Sequence, residues 1–116
     1  MKKIQLLSVP VTNSQAAKDF ELDYRFEFLR LVEVVPEGIT ISEMGDAIKI
    51  ADKLRIAQTG STVYLEDAEH AYLLNRVKNF RFQLVCREIY DMLESLKNAV
   101  TEDAPHLKSR AESATP

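Results

Sequence analysis

The stretch GITISEMGDAIKIADKLRIAQTGSTVYLEDA, residues 38 to 68, decides how this chain is read. It holds a short apolar entry at Ile39 and Ile41, a helix start near Ser42, and a second helix start at Asp67. Thr40 and Glu43 stand at capping-box spacing, where a hydroxyl and a carboxylate each satisfy a backbone N–H of the first turn. Ser42 is a competing N-cap. Glu43 and Asp46 in the first turn, and Lys53 and Arg55 in the last, complement the helix dipole. Met44, Ala47, Ile48, Ala51 and Leu54 recur at helical intervals as one apolar stripe, which Ile50 and Ala57 widen. So broad a stripe predicts neighbours on two sides, which places this helix centrally. Gly60 ends it.

The 116 residues are 46% hydrophobic, enough for one compact domain with a real core, which we place at residues 1–100. A net charge of −3, similarly balanced in both halves, demands neither nucleic acid nor an anionic membrane as partner. Cys86 has no disulfide partner and falls on an apolar helical stripe, so a reducing, intracellular compartment is expected. Met1-Lys2-Lys3 is basic, but Gln5, Ser8 and Pro10 break the apolar run behind it, so no signal peptide is expected. No run approaches membrane-spanning length, and a soluble protein without a membrane partner is expected.

Outward from the central stretch, residues 2–12 read as a strand, with Pro10 demoting it to an edge. Residues 13–17 read as a loop, and Phe20, Leu22 and Tyr24 alternate with acids as a second strand. The two form an N-terminal β-hairpin that needs helices to cover one face. The next segment reads two ways: alternation continues through Phe26 and Phe28, yet Tyr24, Phe28, Leu31, Val32 and Val35 fit a helix capped by Asp23. We read strand to residue 23 and helix from 24 to 34, against the β propensity of Val32, Val34 and Val35. Thr62 to Leu65 form an extended piece expected to pair with residues 39–41. Asp67 is expected to cap a helix carrying Tyr72, Leu73, Leu74 and Val77. A last helix over 82–98 carries Val85, Ile89, Met92, Leu93 and Leu96 on one face. Residues 101–116 have the composition of a disordered tail. The fold class is therefore α+β, mainly helical, with a hairpin packed against three or four helices.

Each candidate chemistry has a plainer explanation. Gly38 before Ile39 and Glu43 has the outline of half an EF-hand, but residues 33–37 (Glu-Val-Val-Pro-Glu) lack the ladder of oxygen ligands that calcium needs. Glu66, Asp67, Glu69 and His70 cluster, but zinc needs three or four converging ligands, and the other histidine, His106, lies in the tail. Solvated capping acids with a surface histidine explain the cluster better. His70 has no placed nucleophile and no glycine-rich phosphate or oxyanion loop beside it. No catalytic residue, metal or cofactor is assigned, and we read the chain as not an enzyme.

Two surfaces remain. Phe20, Leu22, Tyr24, Phe26 and Phe28 lie in an aromatic-rich stretch with more apolar groups than a small domain covers easily, and such a surplus becomes a protein interface. Arg76, Lys78, Arg81 and Arg87, with Phe80 and Phe82 among them, pair cations for phosphates with rings for base stacking, the chemistry of single-stranded nucleic-acid binding. Arginines pairing with acids and phenylalanines entering the core explain the same residues.

The run Gly38-Ile39-Thr40-Ile41-Ser42-Glu43-Met44, with Ala51-Asp52-Lys53-Leu54 and Tyr64-Leu65-Glu66-Asp67-Ala68, resembles small uncharacterised accessory proteins of tailed bacteriophages and prophages. The opening Lys-Ile-Gln-Leu-Leu-Ser-Val-Pro and Glu21-Leu22-Asp23-Tyr24-Arg25 fit the same pattern, over residues 2–98. The resemblance implies an accessory role in virion assembly, in the bacterial cytoplasm or on the virion, and carries no site residues. The first reading is thus a non-enzymatic protein acting through protein contacts, including contacts between its own copies. The alternative is a small nucleic-acid-binding regulator using residues 76–87.

Overall fold

The computed structural model describes residues 1–12, 19–82 and 85–101. In chain order the elements are β1 (Lys2–Gln5), β2 (Ser8–Val11), β3 (Phe20–Asp23), α1 (Tyr24–Glu33), α2 (Ile41–Ile56), β4 (Thr62–Leu65), α3 (Asp67–Asn79) and α4 (Arg87–Lys97). The class is α+β and mainly helical, with two small antiparallel sheets, β1–β4 and β2–β3. The readings of residues 13–17 as a loop and of 102–116 as a disordered tail lie outside the described residues.

The expected single strand over residues 2–12 is two strands in two sheets. The chain changes partner at Leu6 and Leu7. Leu6 is fully buried; its N–H donates to Ser61 O (2.9 Å), and its carbonyl accepts from Gly60 N–H (2.6 Å). The Leu7 carbonyl instead accepts from Tyr24 N–H (2.9 Å). Upstream of this switch β1 pairs with β4, Lys2 opposite Leu65 and Ile4 opposite Val63. This corrects the expected pairing of 62–65 with 39–41, whose backbone is taken up by the entry to α2. Downstream, β2 and β3 form the expected hairpin, Ser8 opposite Asp23 and Val11 opposite Phe20, with Pro10 opposite Glu21. Val11 and Leu22 turn into the core.

Asp23 settles the ambiguous segment. Its Oδ1 accepts from the backbone N–H groups of Arg25 (3.0 Å) and Phe26 (3.4 Å), which satisfies donors that no helical carbonyl can reach. Tyr24, Phe28, Leu31 and Val32 then share the buried face of α1. Of the three valines that argued for a strand, Val32 is buried inside the helix, while Val34 and Val35 lie beyond it: Val34 is its extended C-cap.

The capping box of α2 is present. Thr40 Oγ1 accepts from Glu43 N–H (3.1 Å), and Glu43 Oε1 accepts from Thr40 N–H (3.2 Å). The Thr40 hydroxyl also donates to Glu43 Oε1 (2.8 Å), and this bond first, with the Thr40 N–H bond second, holds the Glu43 carboxyl below the ordinary glutamate value. The helix packs against α1 on one side and α3 on the other, as its central placement requires. Its buried face is Ala47, Ile50, Ala51 and Leu54, while Met44 and Ile48 of the expected stripe are exposed. The stripe is therefore rotated, and part of it points outward.

The last two helices start later or earlier than expected. The N-cap of α3 is Glu66 rather than Asp67, with Glu69 Oε1 accepting from Glu66 N–H (2.8 Å). α4 begins at Arg87, not 82, so Val85 precedes the helix and is 100% exposed rather than part of its apolar face. Met92 and Leu96 are buried, and Ile89 and Leu93 pack against the core at its margin.

Candidate interaction surfaces

The groups that look reactive in the sequence hold helix ends in the structure. An α-helix leaves its last carbonyls without intrahelical donors, and in this chain cations from neighbouring elements reach them. Arg25, on α1, donates from Nε to Leu54 O (2.6 Å) and Ala57 O (2.8 Å), and from Nη2 to Arg55 O (3.1 Å), closing α2. Arg76, on α3, donates from Nε to Leu31 O (3.0 Å) and from Nη2 to Val34 O (2.9 Å), closing α1. Its Nη1 pairs with Glu37. His70 is buried rather than at the surface, and donates from Nε2 to Leu96 O (2.8 Å) in the last turn of α4. The two arginine contacts also place positive charge at the negative ends of the helices.

Of the acids around His70, Glu66 and Asp67 are exposed and Glu69 is committed to an ion pair. Glu69 is buried and receives Lys53 Nζ at 2.7 Å, while the same ammonium donates to Tyr64 O at 3.0 Å. One ion pair thus ties α2, β4 and α3 together. Breaking such a pair from one side leaves an uncompensated buried charge, at a cost of about 3–5 kcal/mol. Among the described residues no group of His, Cys, Asp and Glu is arranged to hold a metal ion. The Tyr72 hydroxyl is buried without a hydrogen-bond partner among them, and burial pushes its pKa up against the opposing pull of Arg76.

The expected protein-binding stretch divides between core and surface. Leu22, Tyr24 and Phe28 are buried, with the Tyr24 and Phe28 rings 5.9 Å apart. Burial, with the nearby Asp91 carboxylate adding to it, raises the Tyr24 pKa. These three are core residues and offer no free surface. Phe20 and Phe26 remain exposed, on the hairpin and the first turn of α1.

The basic stretch divides too. Arg76 is buried and fully engaged, whereas Lys78, Arg81 and Arg87 are exposed with no ion pair among the described residues. Lys78 lines an apolar groove of about 270 Å³ between the end of α3 and α4, together with Val77, Phe80, Phe82, Val85, Ile89 and Leu93. Phe80 packs edge-on against Phe82 (centroids 4.7 Å apart, 64° between planes), and the Arg30 guanidinium sits 4.9 Å over its ring. On the α4 bank, Glu88 accepts from the Cys86 thiol, and Glu94 accepts a hydrogen bond from the Tyr90 hydroxyl, which with its negative charge raises the Tyr90 pKa.

Sequence reasoning missed the outer face of α2. Ile41, Ile48 and Ile56 are 83%, 55% and 84% exposed. Beside them a groove of about 380 Å³ runs between α1 and α2, lined by Val32, Val35, Ile39, Met44 and Ala47. The signal was available, because apolar residues of this helix occupy both of its sides and only one side fits a small core. No helix among the described residues is long and apolar enough to cross a membrane. Comparison of the chain with protein-family models, with curated proteins and with solved structures finds no match.

Proposed function

We propose that this chain works by binding proteins and carries out no bond chemistry of its own. One observation carries the reading: Arg25, Arg76 and His70 are engaged in closing helices, while large apolar side chains stand in solvent. Eleven large hydrophobic residues are exposed among the described ones, including Phe26, Ile48, Val85 and Tyr90. Scattered apolar groups are ordinary on a surface, but grouped ones mark contact sites. The setting we propose, virion assembly in a tailed phage, rests on the sequence resemblance alone.

The test is site-specific photo-crosslinking in the native cell, with the probe at Phe26, Ile48 or Val85 in turn. A discrete protein adduct from at least one site, lost when a neighbouring apolar residue is made glutamate, is expected. Folded protein that yields no discrete adduct from any of the three refutes the reading.

A second reading, a nucleic-acid-binding regulator, is favoured by one feature: the unpaired cations Lys78, Arg81 and Arg87 beside Phe80 and Phe82. Against it, Arg30 already covers one face of Phe80, where a base would stack. Fluorescence anisotropy with labelled single-stranded DNA and RNA at two salt concentrations decides it. Binding that weakens with salt and with Arg81→Glu supports this reading, and binding that is absent or indifferent to both removes it.

A further inference from the structure

We infer that the outward face of α2 is a self-pairing seam, through which two copies of this chain join antiparallel across a two-fold axis. The inference rests on the protein-contact reading and names its partner as a second copy. Ile41, Gly45, Ile48, Asp52 and Ile56 follow one another at intervals of four, three, four and four residues, which keeps them on one side of a helix. All five are exposed. Among the described residues no element covers the three isoleucines.

Gly45 points to close approach from outside. It sits inside α2 without a positive φ, and a methyl group added to it would meet nothing within 4 Å. Glycine in a helix interior costs about 1 kcal/mol relative to alanine, and nothing among the described residues requires the bare Cα. A neighbouring helix that lays a large side chain on this position does require it.

The charges choose the occupant and the register. Lys49 is exposed with no ion pair among the described residues, and Asp52 makes only a long contact, 3.7 Å, with Arg55. An antiparallel two-fold pairing that sets Lys49 opposite the other copy's Asp52 also sets Gly45 opposite the other copy's Ile56. One register therefore satisfies both the charge and the cavity, twice over, by symmetry. An isologous interface needs this kind of self-complementarity. The Ile48 side chains of the two copies flank the axis, and Met44 extends the contact toward the groove beside α1. A single helix pair buries less than the roughly 1,200 Å² of a standard interface, so the dimer is weak and its population depends on concentration.

Sedimentation velocity of the full chain over a wide concentration range tests this. The wild type is expected to pass from monomer to dimer as concentration rises, and Ile48→Glu to stay monomeric with an unchanged circular-dichroism spectrum. Gly45→Ala separates this seam from a merely structural glycine, because it should raise the Tm of the monomer yet weaken the dimer by about tenfold, equal to about 1.4 kcal/mol. Lys49→Glu should weaken the dimer, and adding Asp52→Lys should restore it. A wild type that stays monomeric throughout, a dimer indifferent to Ile48→Glu, or growth beyond the dimer overturns the inference. Failure of the double charge reversal to rescue overturns the antiparallel register. A monomeric wild type that still crosslinks to a different protein from Val85 defeats the self-pairing while leaving the protein-contact reading intact.

Discussion

Replacing Arg76 with methionine keeps a long side chain in the slot between α3 and the end of α1 but removes every donor. Two carbonyls, Leu31 O and Val34 O, lose charged partners at 3.0 and 2.9 Å. Hydrogen bonds to charged groups are worth about 1.5–3 kcal/mol each when the partner is left buried and unpaired. Glu37, 60% exposed, regains water and adds at most about 1 kcal/mol. The expected loss is therefore about 4 kcal/mol, a large share of the roughly 5–15 kcal/mol that holds a domain together. In urea, with an m-value near 2 kcal/mol/M, that is a fall of roughly 2 M in the midpoint. Far-UV circular dichroism reads it directly. Arg76→Lys should recover only part, since an ammonium cannot fork between two carbonyls and a carboxylate. Arg81→Met, at an exposed site, serves as control and should stay within about 0.5 kcal/mol. Should Arg76→Met cost no more than Arg81→Met, the helix-closing account of the basic stretch is wrong.

Thr40→Ala should lower the urea midpoint at pH 7 by removing the hydroxyl that accepts from Glu43 N–H and holds the Glu43 carboxyl down. A carboxyl depressed in the folded state stabilises above its unfolded pKa and loses that contribution as pH falls through the folded value. The gap between Thr40→Ala and wild type should thus narrow on acidification below the ordinary glutamate range; a constant gap would count against the assignment. Gly60→Ala should cost more than about 1 kcal/mol by thermal melting, because Gly60 has φ +90° in the turn that donates to Leu6 O, a conformation alanine resists. His70→Phe should cost about 1–2 kcal/mol and leave Leu96 O only the backbone N–H groups that follow it, of which Ala99 N–H stands at 3.3 Å. Hydrogen exchange should then quicken at the end of α4 and not in α2, and uniform quickening would argue against a local role.

What the sequence disclosed was whatever depends on neighbours a few residues apart. The Thr40–Glu43 box and the Asp23 cap are readable because cap and donor lie within one helical turn, and both fixed their helices correctly. The Glu66 cap was missed by one position, since adjacent acids at 66 and 67 offer the same chemistry. The split of residues 2–12 was hidden for a different reason. Lys2 opposite Leu65 is a pairing across most of the chain, and no local alternation announces it. Arg76 and His70 looked free in sequence because their acceptors, Leu31 O and Leu96 O, are backbone atoms 45 and 26 residues away. The α2 face was misassigned by counting apolar spacing without asking which side a small core can absorb.

The position of β1 has a consequence for how the polypeptide comes together during synthesis. On one side this strand pairs with β4; on the other, Lys3 N–H donates to Val100 O at 2.9 Å and Lys2 bridges to Thr101. Neither neighbour exists when residues 2–5 leave the ribosome. The hairpin and α1 are local and can form early, but β1 has to wait until Leu65 is translated for one partner and until Thr101 for the other, its edges open to any passing strand. Long-range closure of this sort slows folding and exposes nascent chains to misassembly, which makes the first five residues the segment where a chaperone would matter most.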